Sequence, residues 1–239
     1  MNNFPNEDAR RVVNADSGLN SFLSKMYGWM ALAVLVSAAT AYFVVNVGQG
    51  QIVYTMMANP FLKWGSLIAW MIIPIMISFQ ALKRPTFSFG MLMLYSVLTG
   101  FVFSSYLLIY TGASVLAAFL SASAIFITMA VIGLTTKKNL NRLGTQVFGA
   151  LIGLMVAMVI NMLLKSSAIG FFISIAAVII FSILTMYDSN RMAKMYMQYG
   201  STGQVSITGL AVSGALQLYL DFINLFIQLL NILGVVDDR

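Results

Sequence analysis

The chain has 239 residues, of which 60% are apolar and only 8% charged, and a mean hydropathy of +0.89. Soluble domains carry about 25% charged residues, so a water-soluble globular fold is excluded. The net charge of +6 comes from 13 Lys and Arg set in short clusters between apolar runs rather than along one face, a topology signal and not a nucleic-acid surface. Cysteine and histidine are absent, which rules out disulfides and thiol redox chemistry and leaves carboxylates as the groups able to answer pH near neutrality.

Residues 1–26 include Glu7, Asp8, Arg10, Arg11 and Asp16 and lack the apolar core and small-residue cleavage site of a signal peptide. They read as a cytoplasmic N-terminal segment, with the first hydrophobic helix serving as its own insertion signal. Seven apolar segments follow, near 27–47, 61–82, 88–110, 114–134, 145–164, 168–187 and 209–236. Each is close to the ~20 residues that cross ~30 Å of hydrocarbon. A membrane β-barrel would need short alternating segments, and runs such as 173–183 do not alternate. The fold class is therefore an all-α polytopic membrane protein, with one transmembrane domain over 27–236 and a short tail over 237–239.

Within these segments Pro74 should kink the second, since it removes a helix N–H. Gly149 and Gly153 form a G-x-x-x-G in the fifth, and Gly209 with Ser213 repeats the spacing in the seventh, a pattern that lets helix backbones approach. With the N-terminus cytoplasmic, that side receives Arg10, Arg11, Lys25, Lys83, Arg84, Lys137, Lys138, Arg142, Arg191 and Lys194, and the far side only Lys63, Lys165 and Arg239. The positive-inside rule selects this orientation, in a membrane such as the bacterial inner membrane. Seven crossings place the C-terminus outside unless the last segment is re-entrant.

The seventh segment carries the densest polar pattern. Gln217, Asp221, Asn224, Gln228 and Asn231 recur at spacings of 4, 3, 4 and 3, which puts them on one helix face in a stripe ~21 Å long. Such a face turns toward other helices or water, so this helix belongs at the centre of the bundle. A carboxylate in mid-membrane costs about 2.5–3.5 kcal/mol on insertion scales, so Asp221 has to be paired, protonated or solvated. Asp188 closes the sixth segment in the run LTMYDSNRM, with Arg191 one turn on as a local partner. If the seventh helix meets hydrocarbon at Gly209, Asp221 lies ~18 Å deep with Asp188 at the edge; entry at Leu216, which the weakly apolar run SITGLAVSG favours, puts Asp221 only ~8 Å deep, near Asp188. Two such carboxylates would titrate as a coupled pair, share a proton, bind a hard cation such as Ca²⁺, or hold a basic side chain, for which Lys83 and Arg84 are candidates.

The run ALQLYLDFINLFIQLLNILG and the run MYDSNRM resemble the last and sixth helices of the transmembrane Bax inhibitor motif family, and the resemblance extends over essentially the whole chain. It implies a bundle wrapped around a central seventh helix, with Asp188 and Asp221 as a pH-sensitive latch on a calcium leak pathway. It also implies a basic residue near the end of the second helix that engages the acids, a role only Lys83 and Arg84 can fill. Many relatives have Glu before a Gly in the third helix where this chain has Thr99 before Gly100.

The expected function is a pH-sensitive, calcium-permeable leak channel without catalytic residues or a cofactor, Ca²⁺ being the permeant ion and the bilayer and protons its partners. The alternative is a membrane scaffold that binds other membrane proteins or a quality-control protease. An intramembrane aspartyl protease needs a glycine-flanked second aspartate for substrate backbone to approach, whereas Leu220 and Phe222 flank Asp221.

Overall fold

A computed structural model of the chain describes residues 7–47, 51–200, 202 and 205–237. The ends of the expected N-terminal segment and tail, 1–6 and 238–239, lie outside the described residues, as do the side chains of Arg10, Arg11 and Arg239. Eight helices follow in order: α1 (Glu7–Asn46), α2 (Gln51–Ala58), α3 (Pro60–Gln80), α4 (Pro85–Ile109), α5 (Gly112–Thr135), α6 (Asn141–Leu164), α7 (Ser167–Tyr199) and α8 (Ile207–Asp237). Among the described residues there is no strand, and seven helices, all but α2, are long and apolar enough to span a bilayer. The chain is an all-α polytopic membrane protein.

Local chemistry sets the breaks between helices. Asn59 caps α3 by accepting from the N–H groups of Phe61 and Leu62, with Pro60 in the first turn where a missing N–H is harmless. Thr111 accepts from the Ser114 N–H to start α5, and Ser166 from the Ile169 N–H to start α7. Lys165 ends α6 in the left-handed region at φ 51°, leaving a two-residue link to α7.

α8 is the hub. Of its spanning window, 67% is buried, against 6–39% in the other six spans. It packs against α7, α1, α5, α4 and α3, while α1 pairs with α4, α5 with α7, and α6 leans chiefly on α7. The core clusters around it: Leu216, Leu218, Tyr219, Leu225 and Leu230 are almost wholly buried. Phe222 meets Phe119 and Phe126 edge to face, and Phe226 meets Phe103.

Hydropathy located the spans but not the full helices. α1 is helical from Glu7, so most of the segment expected to precede the membrane continues the first span, and α2 adds a short helix where only a loop was expected. α7 runs to Tyr199 rather than stopping near 187, because 188–199 is rich in Met, Lys, Arg and Ala, which form helix readily in water. Asp188 is thus inside a helix and not at its C-terminus, so the unfavourable end dipole does not act on it. The run over 207–214, expected outside hydrocarbon, is helical, and Gly209 to Val212 are buried.

The glycine expectation divides. A Cβ on Gly209 would run into the Ala81 carbonyl, so α8 touches the end of α3 backbone to backbone. Gly149 and Gly153 are exposed, and among the described residues nothing approaches where a Cβ would stand, so their G-x-x-x-G admits no close backbone neighbour there. The closest approach of that kind lies at Gly133 of α5, whose missing side chain admits the Met186 carbonyl of α7.

Candidate functional site

α7 and α8 are antiparallel neighbours that share one end of the bundle, at Tyr199 and Ile207. Asp188 is 11 residues from that end and Asp221 14 residues, so they sit ~16 Å and ~21 Å along their helices, within a turn of the same level. Gly214, against the side chain of Met192, confirms the register. Two hydrogen bonds then orient α7. Tyr27 donates to the Ser189 hydroxyl at 2.9 Å, and the Asn190 amide donates to the Gly133 carbonyl at 2.8 Å. With Ser189 and Asn190 tied to α1 and α5, Asp188 turns toward α6 and α8.

The result is a cavity of about 680 Å³ between α6, α7 and α8. Asp188, Arg191 and Tyr187 line it from α7, and Gln217, Asp221 and Asn224 from α8. Its remaining wall comes from α6 and α7, with Phe148, Leu151, Leu154, Met155, Met158 and Phe181. Asp221 is 5% exposed and Asp188 half-buried. Neither Asp221 Oδ2 nor Gln217 Oε1 has a hydrogen-bond partner among the described residues. Buried polar atoms are nearly always satisfied, so these two mark a place built to meet something other than the chain itself. Asn224 is self-contained, its amide donating to the Leu220 carbonyl at 2.8 Å.

The five-residue stripe is split by the structure. Gln217, Asp221 and Asn224 reach the cavity; Gln228 is buried, and Asn231 accepts from the Tyr110 hydroxyl at 3.1 Å near the opposite end of α8. Tyr110 also stacks on Tyr106, and its ring lies against Gly234, so α4 and α8 are fastened there. Lys83 and Arg84 are exposed in the α3–α4 connection, outside the cavity that holds the acids. The α3 end meets α8 at Gly209, 12 residues or ~18 Å before Asp221, so the structure does not bring either side chain to the acids. The basic group at the site is Arg191. Asp188 and Asp221 form no cluster of three or more metal-ligating side chains among the described residues, so a cation there would keep most of its waters.

A second polar cluster had no sequence signal beyond isolated hydroxyls. Ser37 of α1 donates to a backbone carbonyl, Ala33 at 3.0 Å or Ser96 at 2.8 Å, and shares a 2.6 Å hydrogen bond with Tyr219 of α8. Trp70 donates to the Thr99 hydroxyl at 3.1 Å, and the Tyr95 ring lies between Trp70 and Tyr219. Thr99, the residue before Gly100, is thus part of a satisfied hydroxyl and aromatic knot fastening α1, α3, α4 and α8.

Against known proteins, residues 19–238 match the family model described as inhibitor of apoptosis-promoting Bax1. The chain is 35% identical to the inner membrane protein YbhL of Escherichia coli strain K12 over 235 residues, 98% of this chain and 99% of the relative. It is 36% identical to an uncharacterized membrane protein of Streptococcus pyogenes serotype M1 over 222 residues, 93% and 96% of the two chains. The uncharacterized protein YrjE of Lactococcus lactis is 35% identical over 224 residues, 91% and 92% of the two chains.

Proposed function

The chain belongs to the inhibitor of apoptosis-promoting Bax1 family of integral membrane proteins, and from that premise we propose that it is a passive, pH-sensitive leak for calcium across the bacterial inner membrane. One observation carries the reading: Asp188 and Asp221 line the same cavity among membrane-spanning helices, and Asp221 Oδ2 has no partner among the described residues. Carboxylate oxygens suit a hard cation, and two of them side by side attract it without enclosing it, which favours passage over storage. The inner-membrane setting follows the name of the E. coli relative, and the cytoplasmic N-terminus follows the distribution of Lys and Arg.

The ionisable groups lining the cavity are Asp188, Asp221, Arg191 and Tyr187. Two carboxylates that line one cavity can exchange a proton as one unit. Binding a proton lowers their joint negative charge, weakens the hold on a cation and relaxes the repulsion between α7 and α8; losing it does the reverse. Phe222 and Phe226, outside the lining of this cavity, pack against rings of α4 and α5. In liposomes loaded with a Ca²⁺ indicator, Asp221→Asn should abolish the dependence of influx on pH and change its rate. Influx with unaltered rate and unaltered pH profile in this variant would disprove the gate.

A further inference from the structure

The cavity that holds the two acids has a second property, independent of ion flow: its polarity is graded along the membrane normal. Arg191, Asp188, Gln217 and Asp221 lie at one end, level with the point where the apolar run of α7 gives way at Tyr187 to charged residues. From there it continues along α6 to Met158, past Leu151 and Met155, with no charged side chain in its lining. The 14 residues from Gly144 to Met158 measure ~21 Å, comparable with one leaflet of hydrocarbon plus its headgroup layer. The cavity is open on the α6 side, where Thr145, Phe148, Met155 and Arg191 are exposed. Because α6 leans chiefly on α7, a gap is left between α6 and α8, opening sideways among membrane-spanning helices.

We propose that this cavity binds one phospholipid whose headgroup carries a primary ammonium. The ammonium donates to Asp221 Oδ2 and to Asp188, the phosphate meets the Arg191 guanidinium at the mouth, and one acyl chain lies along Leu151, Met155 and Met158. Charge complementarity selects this headgroup. Two carboxylates in the buried part and a guanidinium outside them match a cation at the tip of the headgroup and an anion behind it. A quaternary ammonium has no N–H to give the unpartnered oxygens, and an anionic headgroup would bring like charge to the acids. The lipid would supply the hydrogen bonds that Asp221 Oδ2 and Gln217 Oε1 lack among the described residues.

The proposal is tested on the full chain purified in detergent by thermal unfolding with phosphatidylethanolamine, phosphatidylcholine and phosphatidylglycerol of identical acyl chains. The ethanolamine lipid should raise Tm by about 2–4 °C more than the other two, and free phosphoethanolamine should raise it by nothing comparable. Asp221→Asn should erase the preference by removing the carboxylate, and Met155→Trp, a change at an exposed position, by filling the chain channel. Equal shifts from the ethanolamine and choline lipids, a larger shift from phosphatidylglycerol, or a preference that survives both substitutions would overturn it. A full shift from the free headgroup would overturn the lipid as occupant. Ca²⁺ flux plays no part in this readout, so a protein that proves not to conduct can still satisfy it, and a conducting one can still fail it.

Discussion

At the scale of single residues, the acids and the basic groups sort differently in space than in sequence. Lys83 and Arg84 are prominent as a dibasic pair beside a helix end, but they are exposed and belong to the topology signal; Arg191, one turn from Asp188, shares the acids' cavity. Arg191→Gln should therefore shift the pH profile of Ca²⁺ influx, because it removes the only positive charge in the cavity lining. The double change Lys83→Ala, Arg84→Ala should leave that profile in place, and a displaced profile there would show that α3 reaches the acids after all. Tyr219→Phe should cost about 1 kcal/mol of stability by removing one buried hydrogen bond from Ser37, which keeps its backbone carbonyl acceptors, read as a lowered midpoint of denaturation. Asp188 and Asp221 were legible as a pair because charge is rare in apolar segments. Tyr219, Ser37 and Trp70 were not, since a hydroxyl or an indole costs too little in a membrane helix to stand out in composition.

At the scale of helices, the seven spans and the central place of the last one could be read from hydropathy and from the polar stripe. Their ends could not. A window of apolar residues reports contact with lipid, whereas a helix continues for as long as its backbone bonds are made, and so α7 carries on twelve residues past its apolar run. Small-residue spacing was similarly ambiguous, because G-x-x-x-G marks a face that can be approached and not the partner that approaches it. Gly133 and Gly153 put the difference to a test. Gly133→Ala must push α5 off the Met186 carbonyl and should destabilise the fold by about 1–3 kcal/mol. Gly153→Ala meets no neighbour and should be neutral or slightly stabilising, given the better helix propensity of alanine. The two midpoints of unfolding, compared in one detergent, check both.

At the scale of the whole molecule, α8 is held at each end by a different kind of contact. Near Ile207 it meets the end of α3 through Gly209, and near Asp237 it is fastened to α4 by the Tyr110 hydroxyl and the packing of that ring on Gly234. If the far end of the stripe is a closed exit, Tyr110→Phe should raise basal Ca²⁺ influx severalfold while keeping its pH dependence, since the acids are untouched; influx at the wild-type level would show that this contact closes no exit. The sequence carried no hint of this division, because it depends on which rings of α4 and α5 face α8. α6 stands apart from these fastenings. It is a rod ~36 Å long supported along one side and joined to α7 by two residues around the left-handed Lys165. Its two halves are held differently: beside Asp188 and Arg191, Leu140, Gly144 and Val147 are buried and Gly144 lies against the Tyr187 ring, whereas from Met155 to Leu164 most side chains are exposed. Whatever enters or leaves the cavity therefore meets a charged half pinned in width and a greasy half with little behind it to resist widening.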